Sequence, residues 1–334
     1  MIEQSTVIQT LISLGDSFSK ENEALNGAVN RSYLENSWLT KENYWTALEE
    51  WKEKLNEEAL QNFSSNYTYS IEPRTVGIIM AGNIPMVGFH DLLCVLLSGN
   101  KAAIKPSSDD KVVMTYIVNF LSNSPLSDVV TLVERLDKID AVIATGSNNS
   151  YRYFERYFSH IPNVLRKNRK SIAILDGSES IQDLDLLADD VFQYFGLGCR
   201  NVSFIYLPKS MNITTVLDQF MKYKDLANHN KYANNYTYHR ALLLMNSEQH
   251  LDTGFSLPKE RLDLNAPLAC IHYAYYDDKS EVDDFIKKNE ENLQCIVGNY
   301  WTKDTISFGM AQNPDLQDFA DKVDTMQFLD DLRS

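Results

Sequence analysis

The stretch from Gly77 to Ser108, GIIMAGNIPMVGFHDLLCVLLSGNKAAIKPSS, sets the frame for the rest of the chain. It begins in a short apolar run, Val76–Met80, that reads as a buried strand. A turn follows at 81–85, where Pro85 biases its predecessor away from the helical region and so breaks the chain direction. Residues 86–98 are mostly apolar, too many for a strand, and Gly99–Asn100 closes them as a helix stop. A second strand over 101–104 leads into Lys105-Pro106-Ser107. Strand, helix and strand in this order form the unit of a parallel α/β sheet. Ligands of such sheets sit at the carboxyl ends of the strands, where Asn83 and Lys105 are expected to lie.

The pattern continues downstream. Strands are predicted at 75–80, 101–104, 141–144 and 171–175, with helices at 86–98, 111–121 and 148–159. A second run places strands at 203–207, 241–245, 269–275 and 294–297, and helices at 181–194, 214–226 and 281–289. Two doubly wound α/β domains follow from this alternation. Residues 1–175 read as N-terminal helices plus a dinucleotide-binding domain, 176–300 as a catalytic domain, and 301–334 as a segment packing back on the body. Within residues 1–70, Tyr44, Leu48, Trp51 and Leu55 have helical spacing and read as packing, with no chemistry. No GxGxxG, P-loop or GxSxG occurs, and the six histidines show no metal spacing.

Charge narrows the partners. The net charge of −15 argues against nucleic acid and anionic membrane, both of which need a basic field. No apolar run approaches the roughly 20 residues of a membrane span. The N-terminus lacks the basic start and cleavage site of a signal peptide and reads as an amphipathic helix. The four cysteines, 94, 199, 270 and 295, form no CxxC pair and read as thiols of a cytoplasmic protein.

Cys199 is the candidate nucleophile. It lies in Tyr194-Phe-Gly-Leu-Gly-Cys-Arg-Asn201, after a helix and before a strand, with glycines close by and Arg200 as a cation beside the thiol. Cys94, Cys270 and Cys295 read as core. On residues alone, Asn83 could cap the following helix or make a turn, Lys105 could be a solvated strand-end lysine, and Thr145-Gly146-Ser147 could be an ordinary helix cap.

The order Asn83-x-Pro85, apolar helix, Gly99-Asn100, Lys105-Pro106-Ser107 resembles the aldehyde dehydrogenase superfamily. GNIP followed by GFHDLL, and FGLGCRN, are similar to its acyl-CoA reductase (fatty acyl reductase) branch, best known from bacterial luminescence. The likeness covers about residues 70–300. It implies a Cys199 thiolate that takes an acyl group, with Asn83 and the Cys199 N–H as oxyanion donors. It implies cofactor contacts at Lys105, Ser107, Ser108, Thr145, Gly146 and Ser147, in a dinucleotide fold without GxGxxG. Ser108 stands where the family often has the glutamate that binds the 2′-hydroxyl of NAD. This favours NADPH, with NADH as the alternative and Asp109–Asp110 weighing against the inference. Oxidising members carry E-L-G-G-K-S where this chain has Leu165-Arg-Lys-Asn-Arg-Lys-Ser171. Aligning Lys170–Ser171 puts Arg166 in place of the glutamate base that activates water. The cations of 166–170 could meet carrier phosphates or form a solvated basic turn. His90 could reach the site mouth or be packed, and Asp263 falls, on a poor alignment, where the family's nicotinamide-ribose glutamate lies.

The reading that results is NAD(P)H-dependent reduction of an acyl-CoA or acyl-carrier thioester to an aldehyde. A conventional aldehyde dehydrogenase and a non-catalytic dinucleotide-binding protein are the alternatives. The likeness brings a homo-oligomer with it, though this chain is shorter than typical members and the oligomerisation arm is in doubt.

Overall fold

A computed structural model describes residues 2–299 and 301–333. The chain divides into two compact units, one of residues 1–168 with 315–334 and one of residues 169–314.

The first unit opens with α1 (Gln4–Asp16), α2 (Glu23–Glu35), α3 (Lys41–Lys54) and α4 (Glu57–Ser64). Asn22, Thr40 and Asn56 cap the last three, each accepting a backbone N–H of the first turn. Then come β1 (Thr75–Ile79), α5 (Phe89–Leu97), β2 (Lys101–Lys105), α6 (Val112–Ser122), β3 (Val130–Leu132), β4 (Ala141–Thr145), α7 (Asn148–Phe158) and β5 (Asn163–Arg166). The strands form one parallel sheet in the order β3-β2-β1-β4-β5. The chain winds from β1 outward through β2 to β3, then resumes on the other side with β4 and β5. The switch point therefore lies between β1 and β4, where a crevice opens beyond the strand ends.

Helix α5 begins three residues later than the apolar run suggests. Met86 takes a left-handed φ of 60°, and its N–H is held by Asp110 Oδ2 at 2.9 Å, so helical geometry starts only at Phe89. From there α5 is buried nearly all round, Asp91 included, because the sheet lies under it and α1 packs on it.

The second unit holds β6 (Lys170–Ile174), α8 (Ile181–Phe192), β7 (Val202–Pro208), α9 (Ile213–Phe220), α10 (Asn230–Met245), β8 (Leu257–Glu260), β9 (Cys270–Tyr276), α11 (Lys279–Asn289), β10 (Leu293–Gly298) and β11 (Thr305–Ile306). Its parallel sheet runs β11-β10-β6-β7-β9-β8. Successive residues alternate between two cores: Ala173, Leu175, Ile205 and Leu207 on one face, Ile172, Ile174, Phe204 and Tyr206 on the other. A sheet buried on both faces explains why these strands read as continuous apolar runs. The last segment, from Asp315, belongs to the first unit and carries α12 (Thr325–Asp331).

Two expectations need revision. The strand expected at 241–245 is the end of α10. Its residues, Ala-Leu-Leu-Leu-Met, are strong helix formers without β-branching, and Met245 is 81% exposed, so no core calls for a strand there. The expected domain boundary at 175/176 and the observed division after Asn168 differ by the whole of β6. That strand pairs with β7 and β10, and Asp176-Gly177-Ser178 is only the turn that leads it into α8.

Candidate active site

In the first unit the residues singled out by motif gather at the carboxyl edge of the sheet. Asn83 lies exposed on the loop after β1. Lys105 ends β2, exposed, in register with Ile79 of β1. Ser107 caps a short turn of 3-10 helix over Ser108–Asp110, accepting the Asp109 N–H at 3.2 Å. Thr145 ends β4, and Ser147 caps α7 by accepting the Ser150 N–H. Glycine is required twice. A Cβ on Gly82 would come within 2.7 Å of Ser107, and one on Gly146 within 2.9 Å of Phe154 and Ser150. The two glycines thus let the loops after β1 and β4 pack closely on their neighbours, beside an exposed lysine and serine hydroxyls. That donor set suits the phosphates and ribose of a dinucleotide.

What holds the Asn83 loop comes from residues the motif does not include. Asp110, buried at 2% exposure, accepts the Met86 N–H and the Tyr44 hydroxyl. Burial pushes its carboxyl up to about 8, against the pull of the Met86 hydrogen bond. Tyr44, read from spacing as packing alone, is therefore also a brace for this loop.

Arg166 does not form part of a solvated basic turn. It is 4% exposed, and one guanidinium nitrogen, Nη1, reaches both carboxylate oxygens of Asp91, at 2.8 and 2.7 Å. The other, Nη2, donates to Thr325 Oγ1 at 2.8 Å. The pair ties β5, α5 and α12 together and withdraws this cation from any phosphate. His90 is also accounted for by packing. Its Nε2 meets the Leu316 carbonyl at 2.8 Å, and its ring lies among Trp51, Phe63 and Phe319. Burial lowers its affinity for a proton.

Cys199 belongs to the second unit, at the amino edge of the second sheet, between α8 and β7. The loop that carries it is strained. Tyr194 and Phe195 have left-handed φ of 55° and 62°, followed by Gly196 at 72°. Only the glycine does this without cost, and left-handed non-glycine residues of this kind concentrate at functional sites. Hydrogen bonds from three elements hold the strain. The Asn201 amide donates to the carbonyls of Asp190, Val191 and Gln193 at 3.0–3.3 Å, and its oxygen accepts the Gly198 N–H at 2.8 Å. Ser171 Oγ, on β6, donates to the Cys199 carbonyl at 2.9 Å, and Cys295 of β10 meets the same hydroxyl at 3.0 Å. The Cys199 carbonyl is thus drawn inward while its side chain is exposed.

Arg200 is committed elsewhere than its place in sequence suggests. Its Nε donates to the Ala311 carbonyl at 2.6 Å. Asp190, fully buried on α8, accepts the N–H groups of Gly309 and Ala311, and burial lifts its carboxyl to about 6. Lys170, the first residue of β6, is half-buried, and burial pulls its ammonium below the ordinary lysine value, with charge on Cys199 acting the other way. Behind the loop lies a cavity of about 190 Å³, lined by Lys170, Phe195, Gly198, Tyr232, the 266–269 segment and Cys270. Cys270, expected in the core, opens β9 at this cavity and is half-buried. Burial pushes its thiol up to about 11. Cys94 and Cys295 are buried. Asp263 lies on the loop before this segment, its carboxylate accepting the Asn265 N–H. Sequence reasoning missed Ser171 and Asn201 as supports. Their only signal was position inside the K-S and FGLGCRN motifs.

No group of histidine, cysteine, aspartate and glutamate fit to hold a metal occurs among the described residues, and no described helix is long and apolar enough to cross a membrane. The model of one family, described as acyl-CoA reductase (LuxC), matches residues 37–308. The chain is similar to long-chain acyl-protein thioester reductase 2 of Photobacterium leiognathi, 25% identical over 169 residues, covering 44% of this chain and 35% of that protein. It is also similar to the long-chain acyl-protein thioester reductase of Aliivibrio fischeri, 23% identical over 176 residues, 45% of this chain and 37% of that one. The match thus spans little more than a third of the length of these relatives. Among solved structures, the NAD-dependent aldehyde dehydrogenase of Sinorhizobium meliloti has a TM-score of 0.68 at 10% identity, over 95% of this chain and 72% of that one. The aldehyde dehydrogenase KauB of Pseudomonas aeruginosa has 0.66 at 12%, over 89% and 72%. The fold is that of the aldehyde dehydrogenases, and the family match, running from within the N-terminal helices through both sheets, places the chain in the LuxC acyl-CoA reductase family.

Proposed function

We propose that the chain reduces an acyl thioester, of CoA or of an acyl carrier, to an aldehyde through an acyl group held on Cys199. The observation that carries this reading is the exposed Cys199 side chain on a strained loop whose carbonyl is fastened inward by Ser171. The Cys199 thiolate attacks the thioester carbonyl carbon. The C–S bond to Cys199 forms, the bond to the carrier sulfur breaks, and that sulfur leaves as a thiolate. The family likeness assigns the donors to the carbonyl oxygen to Asn83 and the Cys199 N–H, and a fixed donor there is worth roughly 3–4 kcal/mol as charge develops. The chemistry such a dinucleotide would supply when bound is hydride for the acyl carbon; the chain's own part is then to let Cys199 leave as a thiolate, which releases the aldehyde.

Lys105, Ser107, Ser108, Thr145, Gly146 and Ser147 would hold that dinucleotide at the β1–β4 switch point. Ser108 supports NADPH, since it brings no carboxylate against a 2′-phosphate. Oxidation to a free acid is disfavoured because Arg166, which lines up with the oxidising base, is paired with Asp91 and retains its proton. A reducing compartment, the cytoplasm, belongs to the same proposal. Self-association is a further expectation from the family likeness, read by multi-angle light scattering.

The test is intact mass after incubation with acyl-CoA or an acyl-carrier thioester, without cofactor. An adduct is expected on the parent and not on Cys199→Ser. NADPH is then expected to discharge it as aldehyde faster than NADH does. Absence of any adduct with short and long chains on both carriers would overturn the reading, and discharge by water alone to the acid would return the chain to the oxidising class.

A further inference from the structure

Asn83 stands on a span that is pinned at both ends to one neighbour, the loop after β2. At the start of the span Gly82 is buried and packs so closely that a Cβ there would lie 2.7 Å from Ser107 and 2.9 Å from the Asp110 nitrogen. At its end Met86, with its left-handed φ of 60°, donates its N–H to Asp110 Oδ2 at 2.9 Å. Pro85 and Met86 are buried, and Asn83 between the two pins is exposed. Asp110 meets both pins, the first through its backbone and the second through its carboxyl. We propose that Asp110 is a positioning residue for acyl transfer, which fixes the Asn83 turn against the Ser107–Ser108 loop so that the donor to the acyl oxygen and the dinucleotide loop share one geometry. This rests on the reading of Asn83 as that donor and adds to it a residue that touches no substrate.

The pins are themselves anchored. The Asp110 carboxyl also accepts the hydroxyl of Tyr44, fully buried on α3. Asn36, just after α2, donates its side-chain amide to the Asp109 carbonyl at 3.1 Å. The Met80 N–H, at the end of β1, donates to the Lys105 carbonyl at 3.1 Å, so the two loops leave the sheet already joined. A donor lowers a barrier only if it is in place before charge develops. An exposed side chain takes its place from its backbone. Without the Asp110 carboxyl the turn keeps its contact at Gly82 and loses its hydrogen bond at Met86, so the backbone that carries Asn83 is free at one end.

The experiment is acylation of Cys199 by dodecanoyl-CoA without cofactor, followed by intact mass in the parent, Asp110→Ala, Asp110→Asn, Asn83→Ala and the double variant Asp110→Ala with Asn83→Ala. Asn83→Ala is expected to slow acylation about a hundredfold and Asp110→Ala about tenfold. The double variant should be no slower than Asn83→Ala alone, because Asp110 acts through Asn83. Multiplied losses in the double variant, or a parent rate in Asp110→Ala, overturn the proposal. Asn at 110 keeps an oxygen for the Met86 N–H, and burial lifts the native carboxyl to about 8, so the neutral amide matches it at pH 7 and should restore most of the parent rate. Two readouts stand apart from acylation. Amide hydrogen exchange in a peptide spanning residues 83–88 should quicken about tenfold in Asp110→Ala, and unchanged exchange overturns the proposal. The pH midpoint of iodoacetamide alkylation of Cys199 should stay in place; a shift of about one unit would put the effect on the thiol itself and also overturn it. Should Asp110→Ala fail to fold, Asp110→Leu with Tyr44→Phe removes the carboxyl and fills its space. A parent that takes no acyl group would defeat the proposed function alone, since exchange at 83–88 still reads whether Asp110 fixes the turn.

Discussion

The loop after β1 leaves the carboxyl edge of a five-stranded sheet and is held by a buried carboxyl, next to a buried ion pair. The loop before β7 enters the amino edge of a six-stranded sheet and is held by amides and a hydroxyl. In the first, Asp110 takes up the Met86 N–H and the Tyr44 hydroxyl, while the Asp91–Arg166 pair pins the helix that the loop feeds. In the second, Asn201 and Ser171 satisfy carbonyls that the left-handed turn at 194–196 leaves facing inward. The contrast follows from what each edge presents. An exposed lysine and serine hydroxyls at a switch point suit an extended anionic ligand. A thiol needs one atom fixed in space, and strain held by many hydrogen bonds fixes it.

The contrast can be broken at its strongest point first. Arg166→Leu leaves the Asp91 carboxylate buried without its partner, so a loss of about 3–5 kcal/mol is expected in urea unfolding. The double variant with Asp91→Leu should recover much of it. A loss below about 1 kcal/mol for Arg166→Leu would show that the first unit is not held by this charge pair. Next, Asn201→Ala removes the amide from three carbonyls and should cost about 1–3 kcal/mol. It should also slow Cys199 alkylation and acylation, whereas Arg166→Leu should spare the alkylation midpoint. Equal effects of both variants on that midpoint would erase the distinction between the two edges.

The smallest effect is a slope with pH. The folded chain keeps a proton on Asp110 up to about pH 8, whereas the unfolded chain loses it near 3.8. Folding therefore binds a proton in that window, and the associated stability is lost as pH rises through about 8. Thermal melts between pH 6 and 9 should fall more steeply in the parent than in Asp110→Asn. Parallel curves would mean that Asp110 is already ionised at pH 6 and is stabilised by its two donors.

Much of this was legible from residues in order. Apolar runs bounded by Gly99, Pro85 and Asp-Gly punctuation mark strands and helices because those signals act within a few residues. The edge strands of both sheets, Val130–Leu132, Asn163–Arg166, Leu257–Glu260 and Thr305–Ile306, escaped notice. They are two to four residues long and carry too little alternation to stand out from a loop. The leucine run at the end of α10 misled in the other direction, since an apolar run does not by itself declare its period.

The sequence alone determined the alternation of strand and helix, the turn that presents Asn83 and the glycine-flanked loop that presents Cys199. These depend on local dihedral preferences and on periodicity. Tertiary structure alone decided the strand order that brings Cys295 of β10 and Ser171 of β6 together under Cys199. It also buried Arg166 against Asp91 and tied the adjacent Arg200 to the Ala311 carbonyl. The physical reason is that a charge or a hydrogen bond acts through space. Ser171 stands 28 positions from Cys199 in the chain, and only the pairing of β6 with β7 brings its hydroxyl to the Cys199 carbonyl.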